Sequence, residues 1–263
     1  MKLRASADFA YQVNYPTPVI TILRPRSDGE QKVLYDNMTV WPGVEMVQYY
    51  DSFGNACQRL LLPFGEVRLH SEAVVEVRRE VERDNLADYV FIEKLPSEVL
   101  QFLLPSRYCL SDSYDIRQLS YQITAHIENG YQQVAMICQW IFANVLYQYG
   151  FTYSSTNSND ILSNRIGVCR DFAHLGIALC RSINIPARMV VGFLKDLPFS
   201  DMHAWFEVFI GQKWYTFDAV QEVTTGGRIV LAYGRDANDV AFITQFGNLT
   251  LLSMNIVVEE LID

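Results

Sequence analysis

Cys169 stands where a nucleophilic thiol would be expected, at the start of a run of residues that predicts a helix. Unpaired N–H groups and the positive end of the helix dipole stabilise a thiolate at that position. Gly167, two residues earlier, allows a tight turn and leaves the approach to the sulfur open. The backbone N–H of Cys169 is a candidate donor to an oxyanion. Such a thiolate can attack an amide carbonyl and form a thioester.

A thiol nucleophile needs a base, and His203 lies at the start of a predicted strand. If Gly211-Gln212 forms a two-residue turn, Trp205 faces Asp218 on the next strand. Asp218 then lies diagonally across from His203, where Cα atoms are roughly 7–8 Å apart and an imidazole can reach a carboxylate. A longer turn would shift this register. In the predicted register, the carboxylate orients the imidazole and stabilises its cation.

Each of these residues also has a structural interpretation. A free cysteine is most often buried, and a lone histidine or aspartate is usually on the surface or hydrogen-bonded in the core. A cysteine at a helix start, a histidine at a strand start and an aspartate on the hairpin partner together favour catalysis. The cysteines show no Cys-x-x-Cys spacing, and this argues against both a disulfide framework and a structural zinc site. We expect a structural role for His174 and for the four other cysteines, Cys57, Cys109, Cys138 and Cys180.

Around these residues the sequence resembles the transglutaminase-like superfamily, whose core has a papain-like fold. The similarity covers about residues 130 to 220, and it departs from the usual Pro-Thr at Ala219-Val220. The resemblance implies that Cys169 is the nucleophile, His203 the base and Asp218 its orienting partner. Many bacterial members carry an N-terminal β domain. The motifs that carry the resemblance are GVCRDFAHL at 167–175, IPAR at 185–188, DMHAWFEV at 201–208 and WYTFD at 214–218.

The composition narrows the classes of partner. Among 263 residues, 21 Lys and Arg stand against 30 Asp and Glu, and the net charge of −9 repels nucleic acids and anionic lipid surfaces. We therefore expect a peptide or protein amide substrate, and neither nucleic acid nor a membrane as partner. No segment approaches the ~20 apolar residues of a membrane span. The first residues lack the apolar core of a secretory signal, so we expect a cytoplasmic protein.

The first part of the chain predicts strands. Between Glu66 and Arg78, apolar and polar residues alternate with the period of a half-buried strand. Asp28-Gly29 and residues 51–55 are predicted to reverse the chain between neighbouring antiparallel strands. Residues 95–120 contain two prolines and predict one or two short helices. We therefore expect an N-terminal, all-β, sandwich-like domain over residues 1–125.

Residues 126–263 are expected to form the catalytic domain. An apolar stripe from Val134 to Leu146 predicts a helix, and residues 169–183 are apolar on nearly every side, as in a central buried helix. Four segments predict strands, and the second and third of them form a hairpin: 188–194, 204–210, 213–219 and 249–258. The predicted fold class is α+β, with a central helix packed on an antiparallel sheet.

The predicted function is cysteine-dependent acyl transfer on amide bonds through a thioester, without a metal or organic cofactor. Attack by water gives peptide or amide hydrolysis, whereas attack by a primary amine gives the reaction of a protein-glutamine transglutaminase. Hydrolysis is favoured because the sequence shows no calcium-binding or amine-guiding module. The alternative from another class is an inactive binding or scaffold module that keeps the fold. The presence of Cys169, His203 and Asp218 speaks against that alternative.

Overall fold

The computed structural model describes residues 1–198 and 200–262. Its first part consists of strands joined by turns, followed by two short 3-10 helices, Ile92–Lys94 and Leu100–Leu103. The strands are β1 (Lys2–Val13), β2 (Thr17–Thr21), β3 (Lys32–Trp41), β4 (Met46–Tyr50), β5 (Ala56–Leu62) and β6 (Gly65–Glu76).

The second part mixes helices and strands. The helices are α1 (Tyr114–Thr124), α2 (Gly130–Asn144), α3 (Ser158–Asn164) and α4 (Cys169–Ser182). The strands are β7 (Leu146–Tyr147), β8 (Ile166–Gly167), β9 (Ala187–Leu194), β10 (His203–Ile210), β11 (Lys213–Phe217), β12 (Arg228–Gly234), β13 (Ile243–Gln245) and β14 (Leu249–Leu261).

Two four-stranded antiparallel sheets form the sandwich predicted for the N-terminal part. Their strand orders are β14-β1-β6-β3 and β13-β2-β5-β4. Alternation in β1, β5 and β6 turns their apolar residues toward one core, which includes Phe9 and Leu69 from one sheet and Leu60 from the other. β14 pairs with β1 from end to end, so the C-terminal strand returns to this sandwich. The division of the chain near residue 125 stays a prediction.

One of the two predicted reversals is wrong. Residues 51–55 connect β4 with β5, and these strands pair as expected. Asp28-Gly29 lies between β2 and β3, which belong to different sheets. Gly29 does turn the chain, with a φ of 70°. The pairing differs because β3 pairs with β6, and that contact between distant segments leaves no signal in the turn residues.

Helix α4 packs against the sheet that positions the candidate site. This antiparallel sheet has the order β11-β10-β9-β12. Gly176 allows the close approach, since a Cβ there would lie 2.6 Å from the ring of Phe206 on β10. α1, α2 and α3 also contact α4, which explains why nearly all of its residues are buried. The predicted α+β class with a central helix on an antiparallel sheet is therefore confirmed.

Among the residues that the structure describes, no helix is both long enough and apolar enough to cross a membrane.

Candidate active site

A buried carboxylate holds the turn that presents Cys169. Cys169 is the first residue of α4, and the backbone N–H of Val168 donates to Asp171 Oδ2 at 3.0 Å. The hydroxyl of Thr152 donates to the same oxygen at 2.7 Å, which ties the preceding loop to the helix start. Gly167 is required because a Cβ there would lie 2.8 Å from the Cβ of Asp171. The backbone that presents the thiol is thus held on both sides of the turn.

The hairpin that carries His203 has the predicted register. Gly211 and Gln212 form its two-residue turn with φ values of 55° and 69°. The register continues without a bulge to the end of β11. As a result, His203 Nε2 lies 2.7 Å from Asp218 Oδ2, and both side chains are buried. The His203 ring also hydrogen-bonds the Cys169 side chain, and Nδ1 is the ring nitrogen left for that contact.

The charges around the imidazole favour its cation. Burial lowers the pKa of His203, but the Asp218 carboxylate and the Cys169 side chain more than offset this and raise it to about 9. Burial raises the pKa of Asp218, but the Arg228 guanidinium and then His203 bring it down to about 2. The pair is therefore arranged as an imidazolium beside a carboxylate at neutral pH.

Arg228 completes the surroundings of Asp218, and the sequence analysis missed it. Its Nη2 lies 2.9 Å from Asp218 Oδ2, the oxygen that also faces His203. Its guanidinium carbon stands 4.9 Å from the centre of the Trp205 ring. β12 and β11 are the two edges of one sheet, so no local pattern links Arg228 with Asp218. The one available signal is an arginine that begins an apolar strand, since a buried charge requires a partner.

Tyr147 is a second residue that the sequence analysis missed. β7 and β8 form a short parallel ladder in which the N–H of Gln148 donates to the carbonyl of Gly167 at 2.9 Å. This ladder brings Tyr147 beside Cys169, whose backbone N–H donates to the Tyr147 hydroxyl oxygen. Parallel pairing of two residues per strand has no pattern in the sequence. Only the proximity of Tyr147 to the motif at 167–175 could have indicated it.

The Tyr147 hydroxyl keeps its proton at neutral pH and can therefore act as a hydrogen-bond donor. Burial, followed by the Cys169 side chain, raises its pKa well above the usual value. The hydroxyl donates to the hydroxyl of Tyr149 at 3.3 Å, and that group donates in turn to Asp201 Oδ2 at 2.9 Å. A chain of hydrogen bonds therefore runs from the start of α4 to the loop before β10.

The structure places His174 and the four remaining cysteines away from this chemistry. His174 stacks on Tyr108 and accepts a hydrogen bond from the N–H of Ala237 at 3.1 Å. Burial, with Arg170 as the next cause, lowers its pKa to about 3, so the ring is neutral. Burial raises the pKa of each of the four remaining thiols, those of Cys57, Cys109, Cys138 and Cys180. The pKa of Cys109 is raised to about 12.

A cavity of about 460 Å³ lies at Cys169 and His203. The loop after β7 and the loop before β10 line it, and so does the segment between β12 and β13. Within the part of the chain that the structure describes, no group of three or more metal-ligating side chains comes together. The arrangement suits attack by a thiolate on a carbonyl held in the cavity.

Comparison with known proteins places the chain in a family. The family model of the transglutaminase-like superfamily matches residues 117–219, which include Cys169, His203 and Asp218. The crystal structure of a "putative cysteine protease" from Cytophaga hutchinsonii is 36% identical, with a TM-score of 0.94 over 100% of this chain and 91% of that chain.

Two mycobacterial proteins are also similar to this chain in sequence. A Mycobacterium leprae protein is 29% identical over 236 residues, which cover 83% of this chain and 82% of that protein. A Mycobacterium tuberculosis H37Rv protein is 34% identical over 115 residues, which cover 38% of this chain and 37% of that protein. With the family match and the full-length structural likeness together, the chain belongs to the transglutaminase-like superfamily.

Proposed function

We propose that the protein is a cysteine-dependent hydrolase of peptide or amide bonds, with Cys169 as nucleophile, His203 as acid and base, and Asp218 as the group that orients His203. The observation that carries this proposal is the contact of one buried imidazole with both the thiol and the carboxylate. A nucleophile, a base and an orienting group within hydrogen-bond reach are the requirements of thiol acyl transfer.

In the first half-reaction, the thiolate of Cys169 attacks the amide carbonyl and a C–S bond forms. Negative charge develops on the carbonyl oxygen, and the backbone N–H of Cys169 at the helix start can donate a hydrogen bond to it. The substrate oxygen then takes the place of the Tyr147 hydroxyl oxygen on that N–H, and the Tyr147 hydroxyl turns its proton from Tyr149 to the substrate oxygen as a second donor. The His203 imidazolium gives its proton to the departing amine, and a thioester remains.

In the second half-reaction, neutral His203 takes a proton from water as the water attacks the thioester carbonyl. The C–S bond breaks, the carboxylic acid product leaves, and the thiolate and imidazolium are restored. Asp218 remains ionised throughout, since its pKa is held at about 2. A primary amine in place of water would give amide exchange instead. The named activity of the Cytophaga hutchinsonii relative supports hydrolysis.

The test of this proposal is a search for the acyl-enzyme and its products. Purified protein is incubated with a tryptic digest of casein, with and without a fluorescent primary amine, and samples are quenched in acid for mass spectrometry. We expect new peptide C-termini, a thioester adduct on Cys169, and loss of both in Cys169→Ser. The reference variant is Ala125→Asp, a change at an exposed position at the end of α1.

The outcomes separate the three functions under consideration. Cleaved peptides without amine-linked products support hydrolysis. Amine-linked glutamine side chains without cleavage would contradict it in favour of transglutaminase activity. Absence of both products, with no acyl adduct on Cys169, would contradict enzymatic activity and favour a scaffold.

A further inference from the structure

We infer that the cavity beside Cys169 binds an apolar side chain on the acyl side of the scissile peptide bond. This inference rests on the proposed function, because it concerns the acyl group that Cys169 would receive. The volume of about 460 Å³ lies within the usual range of small-ligand sites. Cys169 and His203 both line the cavity, so a group bound there lies next to the reacting atoms.

The walls of the cavity differ in polarity. The loop after β7 contributes Tyr149, Thr152 and Ser154, which carry hydroxyl groups. Apolar side chains come instead from β9, from β10 and the residue before it, and from the segment between β12 and β13. They are Met189, Val191, Met202, Ala204, Val240 and Phe242. The second set forms an apolar wall, and this name is used for those six residues.

The two charged side chains that line the cavity besides His203 already have partners. The Arg170 guanidinium is 2.8 Å from a carboxylate oxygen of Asp171, which is fully buried. The Asp201 carboxylate accepts a hydrogen bond from the Tyr149 hydroxyl at 2.9 Å and one from a backbone N–H at 2.7 Å. Neither charge requires a ligand of opposite charge. The apolar wall itself carries no formal charge, which disfavours a charged side chain there.

The apolar wall distinguishes two kinds of acyl donor. In a peptide bond, the scissile carbonyl lies on the backbone, so the side chains of the neighbouring acyl residues come close to the thiol. In a glutamine carboxamide, the acyl group next to the thiol is an unbranched chain of two methylenes, so no branched or aromatic side chain lies there to cover the wall. Val191 and Phe242 are only partly buried, so an apolar side chain seated on them removes apolar surface of both partners from water. The wall therefore favours a peptide with an aliphatic or aromatic residue.

The test compares the rates at which three dipeptidyl chloromethyl ketones, Leu-Leu, Gln-Gln and Lys-Lys, alkylate Cys169. Iodoacetamide serves as the reference for the reactivity of the thiol itself, and mass spectrometry identifies the alkylated residue. We expect the Leu-Leu probe to react at least ~10-fold faster than the Gln-Gln probe, which is similar in size but polar. The Lys-Lys probe is expected to react slowest because its charge would lose water at an apolar wall.

Variants of Ala241, which lines the cavity next to the apolar wall, test the site directly. In Ala241→Asp, we expect the ratio of the Leu-Leu rate to the iodoacetamide rate to fall ~10-fold or more. Ala241→Phe fills the cavity without adding charge and is expected to lower the same ratio, so the test does not depend on one variant folding. Ala125→Asp adds the same charge at an exposed position away from the cavity and is expected to leave the ratio unchanged.

Different results would contradict the apolar site and the proposed function. Equal rates for the Leu-Leu and Gln-Gln probes, or wild-type ratios in both Ala241 variants, would overturn the apolar site while leaving Cys169 as the nucleophile. If iodoacetamide labels Cys169 no faster than the other cysteines, the proposed function is overturned, and this inference with it.

Discussion

The hydroxyl oxygen of Tyr147 accepts a hydrogen bond from the backbone N–H of Cys169. That N–H is the donor that the oxyanion of a tetrahedral intermediate needs, so the Tyr147 hydroxyl lies at the edge of the same position. Tyr147→Phe removes the hydroxyl and keeps the ring. We expect kcat on a cleaved peptide to fall by ~10²–10³-fold, because one donor to the oxyanion is lost.

The control for this prediction is Tyr153→Phe, which removes a hydroxyl from an exposed tyrosine of the neighbouring loop. It is expected to change kcat by less than ~2-fold, since surface substitutions away from buried or catalytic groups have small effects. If Tyr147→Phe behaves like Tyr153→Phe, Tyr147 does not contribute to the oxyanion site.

The raised pKa of His203 predicts how activity depends on pH. The imidazolium is needed to protonate the departing amine, and burial, Asp218 and Cys169 together set its pKa at about 9. We therefore expect kcat/KM to fall as the pH rises through about 9. A fall centred near 6.5, the ordinary pKa of histidine, would show that the Asp218 carboxylate does not act on the imidazole.

The same shift predicts a pH-dependent contribution to stability. The folded-state pKa of about 9 lies above the value of 6.5 expected for the unfolded chain, so the contribution is full below pH 6.5 and is lost as the pH rises through about 9. The difference in free energy of unfolding between the wild type and His203→Gln should shrink over this interval. Urea titrations at pH 6 and pH 10 measure it, and a difference that stays constant would contradict the linkage.

Arg228 is predicted to position the orienting carboxylate. Arg228→Met leaves the buried Asp218 without one of its two charged partners, and we expect a loss of ~3–5 kcal/mol in the free energy of unfolding. The variant should also move the alkaline limb of kcat/KM to higher pH, because Asp218 then acts on His203 alone. Arg228→Lys retains a charge and should restore part of both effects. A variant that loses stability with an unchanged pH profile would assign Arg228 a purely structural role.

Gly167 is predicted to be required for the turn before the nucleophile. In Gly167→Ala, the new Cβ would lie 2.8 Å from the Cβ of Asp171, so the turn that presents Cys169 must shift. Overpacking of this kind costs ~1–3 kcal/mol, and we expect a larger loss in kcat than in stability. Gly43→Ala is the matched control, since a Cβ at that position meets nothing within 4 Å. Equal effects of the two substitutions on kcat would contradict this role.

Local patterns were sufficient to predict the elements that carry the three candidate catalytic residues. The turn at Gly211-Gln212 fixes the register of its hairpin, so the diagonal contact of His203 with Asp218 follows from residues close in sequence. The periodicity of residues 169–183 likewise predicts α4, because a helix buried on nearly every side is apolar all round.

These local patterns could not predict contacts between segments that are distant in sequence. Arg228 reaches Asp218 from the opposite edge of the sheet, and Tyr147 reaches Cys169 through a ladder of two residues per strand. The pairing of β14 with β1 joins the two ends of the chain, and neither strand's alternation names its partner. Such contacts are selected by the packing of whole elements, whereas turn residues and periodicity report only on their neighbours.

The central claim is that Cys169 and His203 act as one reactive pair, and the alkylation rate of each cysteine by iodoacetamide at pH 6 tests it most directly. We predict that Cys169 reacts far faster than the other four thiols, and that His203→Gln slows Cys169 at least ~10-fold while leaving the other rates unchanged. Equal, slow labelling of all five cysteines, or a Cys169 rate that is the same in His203→Gln, would contradict the claim.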